Sequence, residues 1–172
     1  AGLVLFTALA TAARAADFPR GPVTLVVPFP PGGGTDVVAR DLAQGLQERL
    51  GQSIVVDNRG GAGGAIGAQY VANARPDGQT ILLITSTFTT HAAVEASLPY
   101  DVRRSFAPVA LLGRGPLLVV ATPSLAAVDV PALLALAKQR PGELNFCSAG
   151  PGSINHLAGE MFAQRAGVRL TH

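Results

Sequence analysis

VTLVVPFPPGGGTDVVAR, residues 23–40, changes character twice within one short stretch. Val23 to Pro28 is an almost unbroken apolar run, the pattern of a strand buried on both faces. Pro30-Pro31 stop it and Gly32-Gly33-Gly34 follow. From Thr35 the period turns helical: Val38, Leu42, Leu46 and Leu50 recur every fourth residue until Gly51 offers a C-terminal stop. Strand, glycine loop, helix is the building unit of an open α/β sheet.

The unit recurs downstream. Ser53 to Asp57 (SIVVD) reads as a second strand, Asn58 to Gly64 (NRGGAGG) as a second glycine turn, Ala65 to Ala74 as a helix and Thr80 to Thr85 (TILLIT) as a third strand. Such alternation predicts a parallel sheet with right-handed crossovers. Past Ser86 come a polar STFTTH segment, a loop around Leu98-Pro99-Tyr100-Asp101, and two apolar runs, Val109 to Leu112 and Leu117 to Ala121, parted by Gly113-Arg114-Gly115-Pro116. The chain is expected to cross there into a second domain. Val130 to Gln139 then reads as a helix, Leu144 to Cys147 as a strand, Ser148 to Ser153 (SAGPGS) as a third glycine turn, Ile154 to Ala166 as a helix, and Arg169 to His172 as the start of another strand. The expected division is 16–113 for a first α/β domain and 114–172 for an incomplete second one.

Composition sets outer limits. With 172 residues, 48% hydrophobic and 14% charged, the chain is globular in character. Residues 1–15 form a small, aliphatic, apolar stretch too short to span a bilayer, ending in Ala13-Arg14-Ala15, an A-x-A cleavage pattern. They are expected to be part of a signal peptide, with the mature chain starting near Ala16 and exported, and the sequence is expected to be truncated at both ends. The single cysteine, Cys147, reads as a packed strand-end residue rather than a nucleophile. Net charge is +2, no basic block exceeds Arg103-Arg104, and tryptophan is absent, so nucleic acid is not an expected partner.

The three glycine turns end strands where open α/β sheets collect ligands, and glycine there lets backbone N–H groups and a helix N-terminus approach an anion. Several specific chemistries are excluded. A phosphate-binding loop needs Gly-Lys-Ser/Thr, yet the only lysine, Lys138, lies in a helix. The dinucleotide spacing G-x-G-x-x-G and the nucleophile elbow G-x-S-x-G are missing from these turns, and three His and one Cys lack metal-ligand spacing. No cofactor is expected. Asp36 at a helix start can serve the helix dipole, His156 can be a satisfied polar residue, and Arg59 reads as solvated after an Asx turn at Asn58. An exported hydrolase using Ser148 or Ser153 with His156 is the competing reading, weakened by the absence of an evident carboxylate to orient the histidine.

VTLVVPFPPGGGTDVVAR, VVDNRGGAGGAIGA, RPDGQTILL, LPYDVRRSFAPVALL and LNFCSAGPGSINHLAGEMF, in that order, closely resemble the solute-binding receptors of tripartite tricarboxylate transporters, the Bug family. The resemblance runs from about Asp17 to His172. It implies a periplasmic-binding-protein-like fold, two doubly wound α/β domains with a ligand cleft between them, and a receptor without enzymatic activity. It further implies capture of a small carboxylate (a di- or tricarboxylate, an acidic amino acid or an aromatic acid) in the periplasm. The implied partners are membrane permease subunits, or in some relatives a signalling receptor, with the full-length protein monomeric. The implied ligand loops fall on Phe29, Gly32, Gly33, Gly34, Thr35 and Asp36 in one domain and on Ser148, Ala149, Gly150, Gly152 and Ser153 in the other. Thr85, Ser86 and Thr87, at the carboxyl end of the third strand, are expected to border the same cleft, and His156 to line it. Pro151 removes one N–H from the second loop.

Overall fold

A computed structural model describes residues 18–172, so the expected signal segment and cleavage point lie outside the described residues. Strand β1 (Val23–Val27) is followed by helix α1 (Gly34–Leu50), strand β2 (Ile54–Asn58), a 3-10 turn (Ala62–Gly64), helix α2 (Ala65–Ala72) and strand β3 (Thr80–Leu82). Helices α3 (Thr87–Val94), α4 (Val130–Gln139) and α5 (Ile154–Ala166) complete the order. The sheet is parallel, in the order β2-β1-β3, with Leu25 opposite Val56 on one side and Ile81 on the other. The central strand is therefore the apolar run of the opening stretch, and Val23, Leu25, Val26 and Val27 are all buried.

Helix α1 lies against this sheet through a different stripe from the one its leucines suggest. Asp36, Ala39 and Ala43 are its buried residues, and Leu42 packs beside them, whereas Val38 is 52% exposed. Small residues let the helix axis approach the sheet, and Leu25, Val27, Phe29, Ile54, Val56, Ile81 and Leu83 fill the space around them. Gly51 ends α1 in the left-handed conformation, its N–H returning to Gln47 O at 3.0 Å.

Three elements depart from the sequence reading. β3 stops at Leu82, although the Leu83 N–H still reaches Val26 O at 2.9 Å, which frees Ile84 and Thr85 from the ladder. The STFTTH segment, with no apolar period, forms α3. The expected strand Leu144–Cys147 is reduced to one parallel bridge, Asn145 to Thr171, because no other strand flanks it among the described residues. A second small core, Ala137, Ala163 and Val168 with Leu134, Leu144, Ala166 and Leu170, holds α4 and α5 to that bridge. Asp129 caps α4 by accepting the Ala132 N–H at 2.8 Å, and Ser153 caps α5 by accepting that of His156 at 3.2 Å.

Candidate functional site

The first glycine turn leaves β1 and opens α1. Gly32 has a φ of +83°, a conformation that β-carbon sterics reserve largely for glycine. Its N–H is held by Asp36 Oδ2 at 2.9 Å, and the same oxygen accepts from Arg40 Nε at 3.0 Å. Arg40 continues to Asn58 Oδ1 at 3.3 Å, and Asn58 Nδ2 donates to the Phe29 carbonyl at 3.2 Å. Both ends of the loop are thus tied to the carboxyl end of β2. The hydrogen bond from Arg40, then that from Gly32, lowers the Asp36 carboxyl to about 2, so it is an anion at any ordinary pH. Asp36 is turned inward, 3% exposed.

With Asp36 engaged behind the loop, the N-terminus of α1 stays open in front of it. Its capping residue is Gly33, no side chain caps it, and the first helical bond runs from Val37 N–H to Gly33 O at 3.1 Å. The N–H groups of Gly34, Thr35 and Asp36 precede that bond and point along the helix axis at the positive end of its dipole. Gly33 and Gly34 are exposed and Thr35 is half-buried. This arrangement can hold a carboxylate.

The second loop is built differently. The Gly150 N–H goes to Ser148 Oγ at 3.0 Å, that of Gly152 to His156 Nδ1 at 3.2 Å and that of Ser153 to Gly150 O at 3.1 Å. Its donors are largely used within the loop, and Pro151 has none. Ser153 is 1% exposed, whereas Ala149 is exposed and Ser148 half-buried. The serine and histidine pairing of the hydrolase reading does not form. Ser148 Oγ lies 2.7 Å from Nε2 of His172, not from His156, and Ser153 meets only the backbone of His156. A carboxylate does stand near His156, contrary to expectation: Glu160 Oε1 is 3.8 Å from its Nε2. The i, i+4 spacing on α5 could have shown it.

Helix α3 is tied to the second loop. Thr90 Oγ1 donates to Gly152 O at 2.9 Å, and the Ile154 N–H reaches Thr87 Oγ1 at 3.4 Å. Thr85 and Ser86, both exposed, lie where β3 gives way to α3. A narrow crevice runs between Phe29, Ile84, Thr85, Phe88, Tyr100 and His91. His91 and the Asp36–Arg40–Asn58 chain were absent from the sequence reading. The i, i+4 spacing of Asp36 and Arg40 was legible; His91, in a helix without periodicity, carried no signal. Arg59 is not simply solvated. It pairs with Asp57 Oδ2 at 2.7 Å and lies 3.6 Å over the Tyr70 ring, and Asn58 is spent on Arg40 and Phe29 rather than on an Asx turn.

Comparison with known proteins gives one consistent answer. A family profile described as the tripartite tricarboxylate transporter family receptor matches residues 38–172. Protein BugT of Bordetella pertussis is 42% identical over 98% of this chain and 53% of its own length. Among solved structures, Rpa4515 of R. palustris with adipate is 42% identical with a TM-score of 0.87, covering 90% of this chain and 52% of that one. MatC from Rhodopseudomonas palustris with bound malate is 34% identical with a TM-score of 0.80, covering 90% and 53%. The chain spans about half the length of the relatives it matches.

Proposed function

The chain belongs to the tripartite tricarboxylate transporter receptor family, and from that premise we propose that it captures a small carboxylate in the periplasm for delivery to membrane permease subunits, without transforming it. The observation that carries this reading is the uncapped N-terminus of α1, where the N–H groups of Gly34, Thr35 and Asp36 precede the first helical bond, next to a loop fixed by buried Asp36. One carboxylate of the solute sits there. Phe29 and Gly32 to Asp36 form that end of the site, and Thr85 and Ser86 border it. The loop Ser148 to Ser153, with His156, closes on the solute from a second domain whose boundary falls near residue 113. That loop has fewer free donors than the first, since the N–H groups of Gly150 and Gly152 and the Ser148 hydroxyl are already engaged. The solutes held by two related structures, adipate and malate, fit a carboxylate as the common element.

The test deletes one donor without disturbing the helix. Gly34 is the first residue of α1, where proline is tolerated, Gly33 before it is extended, and a β-carbon at Gly34 meets nothing within 4 Å. Gly34→Pro therefore removes an N–H, and Gly34→Ala retains it. A hydrogen bond to a charged group contributes roughly 1.5–3 kcal/mol, so calorimetry with adipate, malate and citrate should show about ten- to a hundredfold weaker binding for Gly34→Pro and under about threefold for Gly34→Ala. Equal affinity in both variants and the parent would remove the α1 N-terminus from the site. Turnover of ester substrates by the parent would favour a hydrolase instead.

A further inference from the structure

Two buried side-chain atoms among the described residues have no hydrogen-bond partner, Asp36 Oδ1 and His91 Nδ1. Asp36 already belongs to the loop network. His91 does not. A buried imidazole nitrogen left unpaired costs roughly 1–3 kcal/mol, and such groups are concentrated where a ligand or a function completes them.

The ring is held in place by two glycines from different loops. A β-carbon on Gly63 would stand 2.7 Å from its Cδ2 and Nε2, and one on Gly152 would stand 3.1 Å from Cδ2. One edge of the imidazole thus lies against the second glycine turn and the SAGPGS loop, and Nδ1 lies on the opposite edge. The ring also lines the crevice shared with Phe29 and Thr85, both residues of the proposed carboxylate site. The other side chains there are mostly apolar, Pro28, Ile84 and Phe88 among them, so His91 is a prominent polar group on its wall. The crevice volume is about 10 Å³, room for about one oxygen-sized group.

We infer that His91 is a further ligand-binding residue, its Nδ1–H donating to one oxygen of the bound carboxylate. The inference rests on the carboxylate-receptor reading and adds to it a side-chain donor that neither glycine loop supplies. It also gives the two glycines a role: Gly63 and Gly152 leave space for the ring between the two halves of the site.

The experiment uses the protein expressed from its complete reading frame and compares the parent with His91→Leu and His91→Asn, with adipate and malate as probes. Asparagine places an amide N–H close to the position of Nδ1, whereas leucine fills the space without a donor. Calorimetry should show at least about tenfold weaker binding for His91→Leu and no more than about threefold for His91→Asn. The melting temperature of His91→Leu should be unchanged or higher, because an unpaired buried polar atom has been removed. His91→Leu binding like the parent overturns the inference, as does equal loss in both variants with a lowered melting temperature, which would make the ring a spacer. A parent that binds neither acid nor citrate defeats the carboxylate reading itself, and this inference with it.

Discussion

At the scale of single residues, Asp36 organises the first loop. Its carboxylate binds Arg40 and the Gly32 N–H, and these partners hold its titration at about 2, against an ordinary value of 3.8. A group whose folded value is depressed stabilises the fold fully above its unfolded value and loses that contribution as pH falls through the folded one. The Asp36 contribution should therefore fade between about pH 4 and pH 2. Urea unfolding followed across that window should show a shallower acid slope for Asp36→Asn than for the parent. Identical slopes would mean that the pairing contributes nothing to folding. Arg40 shares in this role through Asn58, although its own side chain is 58% exposed.

At the scale of elements, glycines in two helices do opposite things. Gly45 lies within α1 with nothing within 4 Å of a β-carbon, so its absent side chain serves no contact. Gly67 in α2 faces the end of β1: a β-carbon there would stand 2.8 Å from Pro28 Cβ and 2.9 Å from the Arg59 carbonyl. Gly45→Ala should raise stability by about 0.5–1 kcal/mol through reduced chain entropy, and Gly67→Ala should lower it by about 1–3 kcal/mol through overpacking. Denaturant midpoints measure both. Matching signs would show that α2 does not approach the β1 turn as closely as described, and with it that the floor of the candidate site is looser. α3 shows the converse relation between sequence and position: a polar, aperiodic segment becomes a helix because its threonines find partners in the second loop.

At the scale of the whole molecule, the segment 109–121 forms no helix or strand and is apolar and exposed. Val109, Leu118 and Val120 are 83%, 78% and 84% exposed. An apolar stretch of this length with unpaired backbone is a template for association. The 172-residue chain should self-associate at micromolar concentration and exchange its amide hydrogens fast across 109–121. Size-exclusion chromatography with light scattering, and exchange monitored by mass spectrometry, provide the check. A monodisperse monomer with slow exchange in that segment would contradict it.

The sequence by itself determined the strand, glycine loop and helix units and the burial of β1, because a doubly buried strand must be apolar throughout and a positive-φ turn favours glycine. It also marked Ile154–Ala166 as a helix at its observed limits. Five ordered motifs carried the family resemblance, and the family match bears it out. What only the tertiary structure decided was how donors and acceptors are spent. Local pattern cannot tell that Asp36 turns inward to Gly32 and Arg40 while the α1 N–H groups stay open, or that the SAGPGS loop uses its own N–H groups internally. Nor can it place His91 between Gly63 and Gly152, residues 28 and 61 positions away, since that contact exists only once separate loops pack against one helix.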